Sequence, residues 1–416
     1  MLTLAGCGGR QSAAPQIPAA NTPQEGPSDF AYYEYLPETS PAGQPQQTPQ
    51  EDPAVKAARE AAEREAQLRQ LVNEMSLEEK VGQLFFVNCP TDAAKKIAQY
   101  HLGGVLLFTD DYQNALGGWL SREDFVAKIQ SYQDAAAADT GIPLFIGSDE
   151  EGGTVTRASR NPNLFAEKSK SPQELYAEGG MGAVLNDTMQ KNSTLRALGI
   201  NVNFAPVCDV STNRNDFMFA RSFGLDAEQT ADYVARVVLA MGDADMGSVL
   251  KHFPGYGNNA DTHTGIAIDE RPIERFRQQD FLPFRAGIAA GGKVTPMVLV
   301  SHNIVNCMDA ELPASLSPAV HQILRDELGF DGVVLTDDLA MDAVKAYAND
   351  GSVAVLALLA GNDMIVTADF ETQIPQVINA VMDGRISEER VNLACLRVLR
   401  AKAERFAAPL SLDGGD

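Results

Sequence analysis

The sequence predicts a single (β/α)₈ TIM-type barrel, a closed ring of eight parallel strands, preceded by a disordered N-terminal tether. Two observations predict this fold. Eight short apolar runs recur between residues 82 and 367, and amphipathic helical stretches separate them. Buried strands that alternate with helices are typical of a parallel sheet covered on both faces. Eight such units within roughly 350 residues match the usual size of a closed barrel.

The elements follow one another in a regular order. A helix is predicted from about Pro53 to Met75, and Ser76 with Glu79 forms a capping box that starts the next helix. An open doubly wound sheet is the alternative fold, but no GxGxxG motif follows a strand. The runs predicted as strands are 82–89, 103–108, 143–149, 200–210, 247–253, 296–303, 331–338 and 362–367.

The N-terminal residues differ in composition from the rest of the chain. Residues 1–7 end in LAGC, which resembles a lipobox in which Cys7 would carry lipid, although a basic start and a longer apolar stretch are missing. Either the start is truncated or the match arises by chance. Residues 8–52 are rich in Pro and Gln and are expected to be a disordered linker. Residues 53–410 form the predicted folded domain. A lipid on Cys7 implies an extracytoplasmic, membrane-anchored protein, and the alternative is a secreted one.

The charge balance excludes one class of partner. The chain has 33 basic and 56 acidic residues and a formal net charge of −23. This charge repels phosphate backbones and anionic lipids, so we expect no nucleic-acid partner and membrane contact only through Cys7. The other four cysteines match neither a zinc motif nor a disulfide framework, and we expect small buried residues there. They are Cys89, Cys208, Cys307 and Cys395.

Charged residues follow five of the predicted strands. In a barrel the chemistry takes place at the C-terminal ends of the strands. Buried charges are costly unless they are paired, so this convergence indicates a functional site rather than packing. The residues concerned, in chain order, are Asp149, Asp209 with Arg221 in the loop after it, Lys251, His252, His302, Asp337 and Asp338.

Several motifs carry a family resemblance. KHFPGYGNNADTH, at 251–263, resembles the KHFPGHG…DSH motif of the family 3 glycoside hydrolases, in their β-N-acetylglucosaminidase branch. SDEEGGTVTR, NFAPVCDV…RSFG and GFDGVVLTDDLAM resemble three further motifs of that family. The resemblance covers roughly residues 66–405 and implies that the domain at 53–410 is catalytic. Two positions depart from the family pattern: Tyr256 replaces a histidine, and Glu150 replaces a glutamine.

The resemblance implies a retaining exo-β-N-acetylglucosaminidase. Asp337 would be the nucleophile that forms a covalent glycosyl-aspartate, and His263, oriented by Asp261, would be the acid/base. Sugar-binding roles are implied for Asp149, Arg221, Lys251 and His252. No metal and no cofactor are implied. The substrate would carry terminal N-acetylglucosamine, as peptidoglycan fragments or chitooligosaccharides do, and we expect a monomer.

Other interpretations stay open at this point. The chain could be a β-glucosidase or a phosphorylase of the same family, although we expect no second domain to supply the glutamate acid that many β-glucosidases use. It could be a glycan-binding lipoprotein without activity. A metal-dependent hydrolase would need His-x-His after the first strand, where this chain has Asn-Cys-Pro at 88–90. A substrate-assisted mechanism would use Asp338, but we expect that side chain to turn away from the mouth of the barrel. We expect His302 to orient Lys251 or Asp337 rather than to take part directly in catalysis.

Overall fold

A computed structural model describes residues 52–257, 267–341, 344, 346–347, 352–406 and 410. The compact unit that contains the strands begins at Ala54. The predictions for Cys7, for most of the linker and for Asp261 and His263 lie outside the described residues. No helix in the described part is long and apolar enough to cross a membrane.

The strands form the predicted barrel. In chain order, β1 to β10 are Phe85–Asn88, Gly104–Leu107, Phe145–Ser148, Val202–Asn203, Gly247–Phe253, Ile268–Asp269, Met297–Val300, Ile304–Val305, Val334–Thr336 and Ile365–Thr367. The eight barrel strands pair in parallel in the order β10-β1-β2-β3-β4-β5-β7-β9, and a parallel bridge between Leu335 and Met364 links the two ends of this sheet. Each of the eight predicted runs contains one barrel strand, so the predicted fold is confirmed. The short strands β6 and β8 pair separately.

Helices separate the strands. The capping box at Ser76 is present: Ser76 Oγ accepts a hydrogen bond from Glu79 N at 3.1 Å, and Glu79 Oε2 accepts one from Ser76 N at 2.7 Å. Two π-helical segments, Phe276–Asp280 and Ile323–Glu327, adjoin helices. The α-helices are Pro53–Glu74, Leu77–Gln83, Ala93–Tyr100, Arg122–Asp139, Pro172–Ala197, Ala227–Asp243, Ile273–Arg275, Phe281–Ala290, Pro318–Gln322, Val353–Ala360, Phe370–Met382 and Glu388–Arg405.

The strand register determines which side chains point into the barrel. Paired residues of parallel strands point to the same side, and successive residues alternate between sides. Phe86 pairs with both Gly104 and Val366, and its ring contacts that of Phe204 edge-on at 5.2 Å, which identifies the interior side. The same alternation places Lys251 and Asp337 on the interior side, at the C-terminal end of the ring. The register therefore directs both side chains into the mouth of the barrel.

Two buried cations from the last helix close the opposite end of the barrel. Lys402 is fully buried, donates a hydrogen bond to Gln83 Oε1 at 2.6 Å and lies over the ring of Phe145. Arg405 packs against Gly247 at the start of β5, where a Cβ atom would lie 2.9 Å from the guanidinium. A side chain at position 247 would therefore displace Arg405.

The cysteine prediction is correct for two of the four residues. Cys208 and Cys395 are buried in the core, as expected for small apolar side chains. Cys89 is only partly buried, and its Sγ lies 3.7 Å from the hydroxyl of Tyr132. Cys307 is exposed, so the prediction is wrong there. Cys307 follows β8, where the chain turns back along the surface, and a hydrophobic residue type alone does not reveal that turn.

Lys402 predicts a pH-dependent stability. Burial lowers the pKa of its amine to about 7, whereas an unfolded lysine stays protonated to about pH 10.4. The unfolded state therefore binds more protons between these values, and stability rises with pH across that window. In Lys402→Met this contribution is lost, so the melting temperature of the variant minus that of wild type falls from pH 7 to pH 10. Lys56→Met, at an exposed lysine, is the control. If the melting-temperature difference from wild type is as independent of pH for Lys402→Met as it is for this control, the lowered pKa of Lys402 is contradicted.

Candidate active site

The ammonium of Lys251 lies in the mouth, in contact with two carboxylates. It is 3% exposed, and its Nζ contacts Asp149 Oδ1 at 2.8 Å and Glu151 Oε1 at 2.7 Å. Burial alone would lower the pKa of Lys251, but the two carboxylates outweigh it and hold the pKa above its ordinary value. Lys251 is therefore a fixed positive charge that is tied to the loop after β3.

Glu151 links Lys251 to Arg221. The guanidinium of Arg221 donates two hydrogen bonds to this carboxylate, at 3.0 Å and 2.7 Å. Burial acts to raise the pKa of Glu151, but Arg221 and Lys251 lower it far below its ordinary range. Glu151 is 5% exposed and is a permanent anion that holds two cations in place.

His252 continues this chain of contacts. Its Nδ1 lies 2.7 Å from Asp209 Oδ2, and its Nε2 lies 3.2 Å from Arg221 Nη2. A guanidinium only donates hydrogen bonds and a carboxylate only accepts them. These partners therefore select a neutral imidazole that carries its proton on Nδ1. Asp209 also accepts a hydrogen bond from the backbone N of Tyr256 at 2.7 Å, and the ring of Tyr256 lies edge-on to that of His252.

Asp337 follows β9 on the interior side of the barrel. It is half-buried, and its Oδ1 accepts a hydrogen bond from Asp338 N at 2.9 Å. Burial acts to raise the pKa of Asp337, but electrostatic interactions with His302 and Lys251 and the hydrogen bond from Asp338 N help to hold it below its ordinary value. Asp337 is therefore an ionised carboxylate at neutral pH.

Asp338 and His302 lie behind Asp337, as expected. Asp338 Oδ2 accepts a hydrogen bond from Asn88 Nδ2 at 2.8 Å, and Asp338 Oδ1 accepts one from Ala340 N at 2.9 Å. His302 Nε2 donates to the backbone O of Asp338 at 3.0 Å, so His302 supports the turn that carries Asp337. The side chain of Asp338 is engaged in holding this turn.

The structure brings together four of the seven predicted site residues in one network. Asp149, Arg221, Lys251 and His252 are linked through direct contacts, and Asp337 projects into the same mouth. This arrangement provides charged hydrogen-bonding groups at the ends of β3, β4 and β5 and a carboxylate after β9, with β7 between β5 and β9. Charged hydrogen bonds of this kind suit the hydroxyl groups of a sugar. Within the described segments, no cluster of three or more His, Cys, Asp or Glu residues is arranged to hold a metal ion.

Comparison with known proteins identifies the family. Residues 76–401 match the glycosyl hydrolase family 3 N terminal domain. The chain belongs to glycosyl hydrolase family 3. This confirms the predicted family and the predicted class, glycoside hydrolase.

Three relatives of this family 3 chain illustrate the likeness. It is 29% identical over 350 residues to Beta-hexosaminidase A of Pseudoalteromonas piscicida, covering 78% of this chain and 57% of that protein. It is 29% identical over 341 residues to Beta-hexosaminidase LpqI of Mycobacterium tuberculosis, covering 79% and 83%. A family 3 beta-N-acetylglucosaminidase structure from Paenibacillus sp. str. FPU-7 superposes with a TM-score of 0.72 at 33% identity, covering 80% of this chain and 63% of that one. The chain thus spans less than two thirds of the first and third of these proteins.

The sequence reasoning missed Glu151, which holds both cations of the network in this family 3 chain. A signal was present, because Glu151 lies two residues after Asp149 in the same acidic run. The neighbouring Glu150 has a different role: it is fully buried and accepts hydrogen bonds from the backbone N of Arg157 at 2.9 Å and of Ser159 at 3.2 Å. The departure from glutamine at position 150 therefore affects loop structure rather than the mouth.

Glu151→Gln tests the buried network. The change removes the negative charge that contacts both Lys251 and Arg221, and breaking a buried ion pair from one side typically costs about 3–5 kcal/mol. We expect a loss of that size in the free energy of unfolding, measured by urea denaturation.

Glu178→Gln provides a matched control. Glu178 pairs with Lys170 at 2.8 Å on the surface, where screening leaves such pairs with little effect on stability. Equal losses of stability in the two variants would show that the Glu151 network does not stabilise the fold.

Proposed function

We propose that this chain is a retaining exo-β-N-acetylglucosaminidase that releases terminal β-linked N-acetylglucosamine. One observation carries the proposal: an ionised carboxylate, Asp337, projects into the same mouth as a buried network of charged hydrogen-bonding groups around Lys251. The names of the Pseudoalteromonas and Mycobacterium relatives, both beta-hexosaminidases, and of the Paenibacillus structure support the N-acetylated substrate.

In the proposed reaction, Asp149, Lys251, Arg221 and His252 position the terminal sugar through its hydroxyl groups. A carboxylate oxygen of Asp337 attacks the anomeric carbon, and the bond from that carbon to the leaving oxygen breaks. A general acid donates a proton to the leaving oxygen. Water then attacks the glycosyl-aspartate, the same group takes a proton from that water, and the carboxylate is released.

We assign the proton transfers to His263, with Asp261 as its partner. An imidazole titrates near neutral pH, so it can donate a proton in the first step and accept one in the second. A neighbouring carboxylate orients the ring and stabilises the imidazolium. General acid–base catalysis of this kind contributes about 10²–10⁴ in rate.

The contacts of Asp338 favour a covalent route over a substrate-assisted one. In a substrate-assisted hexosaminidase a carboxylate beside the reacting centre orients the acetamido group. Asp338 is the available candidate here, and both of its oxygens already accept hydrogen bonds from Asn88 and Ala340. Asp337 is left as the nucleophile.

The natural substrate proposed is a peptidoglycan fragment or a chitooligosaccharide, cleaved outside the cytoplasm. One relative is an uncharacterized secreted glycosyl hydrolase of Arthroderma benhamiae, 28% identical over 314 residues. The LAGC motif at residues 4–7 is the basis for proposing a lipid anchor on Cys7. We propose that the protein acts as a monomer, because the described mouth assembles its network from one chain.

Hydrolysis of 4-nitrophenyl N-acetyl-β-glucosaminide tests the proposed function. Wild type should release nitrophenol, and Asp337→Asn should lower kcat/KM on the order of 10⁴-fold, because loss of a nucleophile removes the covalent step. Asp326→Asn, an exposed aspartate on the preceding helical segment, is the control and should retain full activity.

Parallel assays separate the alternatives. Faster cleavage of the β-glucoside would indicate a β-glucosidase, and a rate that depends on phosphate would indicate a phosphorylase. Loss of activity in EDTA would support a metal-dependent hydrolase. Binding of the substrate by folded wild type without turnover would contradict the proposal and favour a glycan-binding protein.

A further inference from the structure

Arg271 binds two buried carboxylates at once. Its guanidinium donates hydrogen bonds to Asp269 at 2.8 to 3.0 Å and to both oxygens of Asp280 at 3.0 Å and 2.9 Å. Asp269 and Asp280 are 2% and 1% exposed. Burial raises the pKa of Asp280 to about 6 against the effect of Arg271, so this carboxylate is still ionised at neutral pH. Together the three residues form the Arg271 cluster, and the reaction proposed above uses none of them.

The backbone that follows β5 packs against this cluster. Arg271 Nη2 donates a hydrogen bond to the carbonyl O of Gly255 at 3.3 Å. A Cβ atom at Gly257 would lie 2.6 Å from Arg271 Cζ, and a Cβ atom at Gly255 would overlap Asp280 Oδ1. Both glycines have positive φ angles, 122° and 58°, which side-chain-bearing residues rarely adopt. Glycine at these two positions therefore allows the backbone to approach the Arg271 cluster this closely.

The other side of the cluster lies where the chain returns to the barrel. Asp269 is the last residue of β6, and its side chain also accepts a hydrogen bond from Arg271 N at 2.9 Å. Strand β6 pairs with β8, and the carbonyl O of Ala267 just before it accepts a hydrogen bond from Ile304 N at 2.9 Å. The chain is therefore anchored again from Ala267 onward.

The Arg271 cluster thus contacts the chain on both sides of one short segment. Gly257 lies at one end of this segment and Ala267 at the other. The nine residues between them, 258–266, include Asp261 and His263, to which the proposed reaction assigns the proton transfers.

The first of these two ends is also tied to the sugar-binding residues. Asp209, which contacts the ring of His252, accepts a hydrogen bond from the backbone N of Tyr256 at 2.7 Å. The backbone N of Gly255 donates to the carbonyl O of His252 at 2.9 Å. Gly255 and Tyr256 therefore link His252 to Arg271, and the position of the Arg271 cluster is fixed relative to the sugar-binding network.

We propose that Arg271 is a positioning residue for proton transfer, which acts with Asp269 and Asp280 by fixing both ends of the segment that carries His263. The inference rests on the proposed function, because it concerns the general acid of that reaction. A segment with fixed ends has fewer conformations to lose when its side chains meet the substrate. A general acid works only within hydrogen-bonding reach of the leaving oxygen, and a misplacement of about 1 Å can cost about 10²-fold in rate.

Arg271→Lys tests the proposal. The single ammonium of lysine cannot reproduce the planar fork that contacts both carboxylates and Gly255 O. The measurement is kcat/KM for phenyl and for 2,4-dinitrophenyl N-acetyl-β-glucosaminide. Phenolate needs a proton to leave, whereas dinitrophenolate leaves without one. We expect kcat/KM for the phenyl glycoside to fall on the order of tenfold and that for the dinitrophenyl glycoside to stay within about twofold.

A second variant disturbs the cluster from the other side. Gly257→Ala changes no charge but brings a Cβ atom against the guanidinium of Arg271. It should lower the ratio of phenyl to dinitrophenyl kcat/KM in the same direction, and it replaces Arg271→Lys if that variant does not fold.

Arg277→Lys is the matched control. Arg277 also binds a carboxylate through two nitrogens, that of Glu327 at 3.0 to 3.2 Å, but on the surface. This variant should keep the wild-type ratio of the two kcat/KM values. His263→Ala is the reference for loss of the acid, and it should lower the same ratio by more than Arg271→Lys does.

Equal losses on the two glycosides in Arg271→Lys, or a lower melting temperature with the wild-type ratio, would overturn the inference and leave Arg271 as a structural residue. Failure of the proposed function looks different. In that case wild type cleaves neither glycoside, or His263→Ala itself keeps the wild-type ratio and leaves Arg271 no acid to position.

Discussion

The pairing of Lys251 with Asp149 and Glu151 is the interaction on which the rest of the site depends. A buried ammonium costs several kcal/mol unless carboxylates surround it, so the loop after β3 and the end of β5 are held together. Glu151 in turn fixes Arg221, and Arg221 with Asp209 fixes the tautomer of His252. The contacts that begin at this ion pair therefore link the ends of β3, β4 and β5.

Buried charged side chains have different surroundings at the two ends of the barrel. In the mouth, the cations Lys251 and Arg221 each have a carboxylate within about 3 Å. At the other end, Lys402 contacts the amide of Gln83 and the face of Phe145, and burial lowers its pKa to about 7. The mouth thus keeps its charges at neutral pH, which hydrogen bonding to a sugar requires. The closed end favours neutral, packed side chains.

Much of this fold could be predicted from the sequence, because each barrel strand is an apolar run between turn residues. Charged residues after strands also indicated the mouth, since parallel strands bring their C-terminal ends together. Glu151 was missed because Glu150 and Glu151 are chemically identical, and only the loop geometry shows which one faces Lys251 and which one holds the backbone of Arg157.

Covalent trapping tests the central claim most directly. The protein would be incubated with 2-acetamido-2-deoxy-5-fluoroglucosyl fluoride, digested with trypsin and sequenced by mass spectrometry. We expect one added glycosyl mass on the peptide 326–345, DELGFDGVVLTDDLAMDAVK, located at Asp337 and absent from Asp337→Asn. Active wild type that is not labelled under conditions that turn the reagent over, or that carries the label on another residue, would contradict the assignment of Asp337 as the nucleophile.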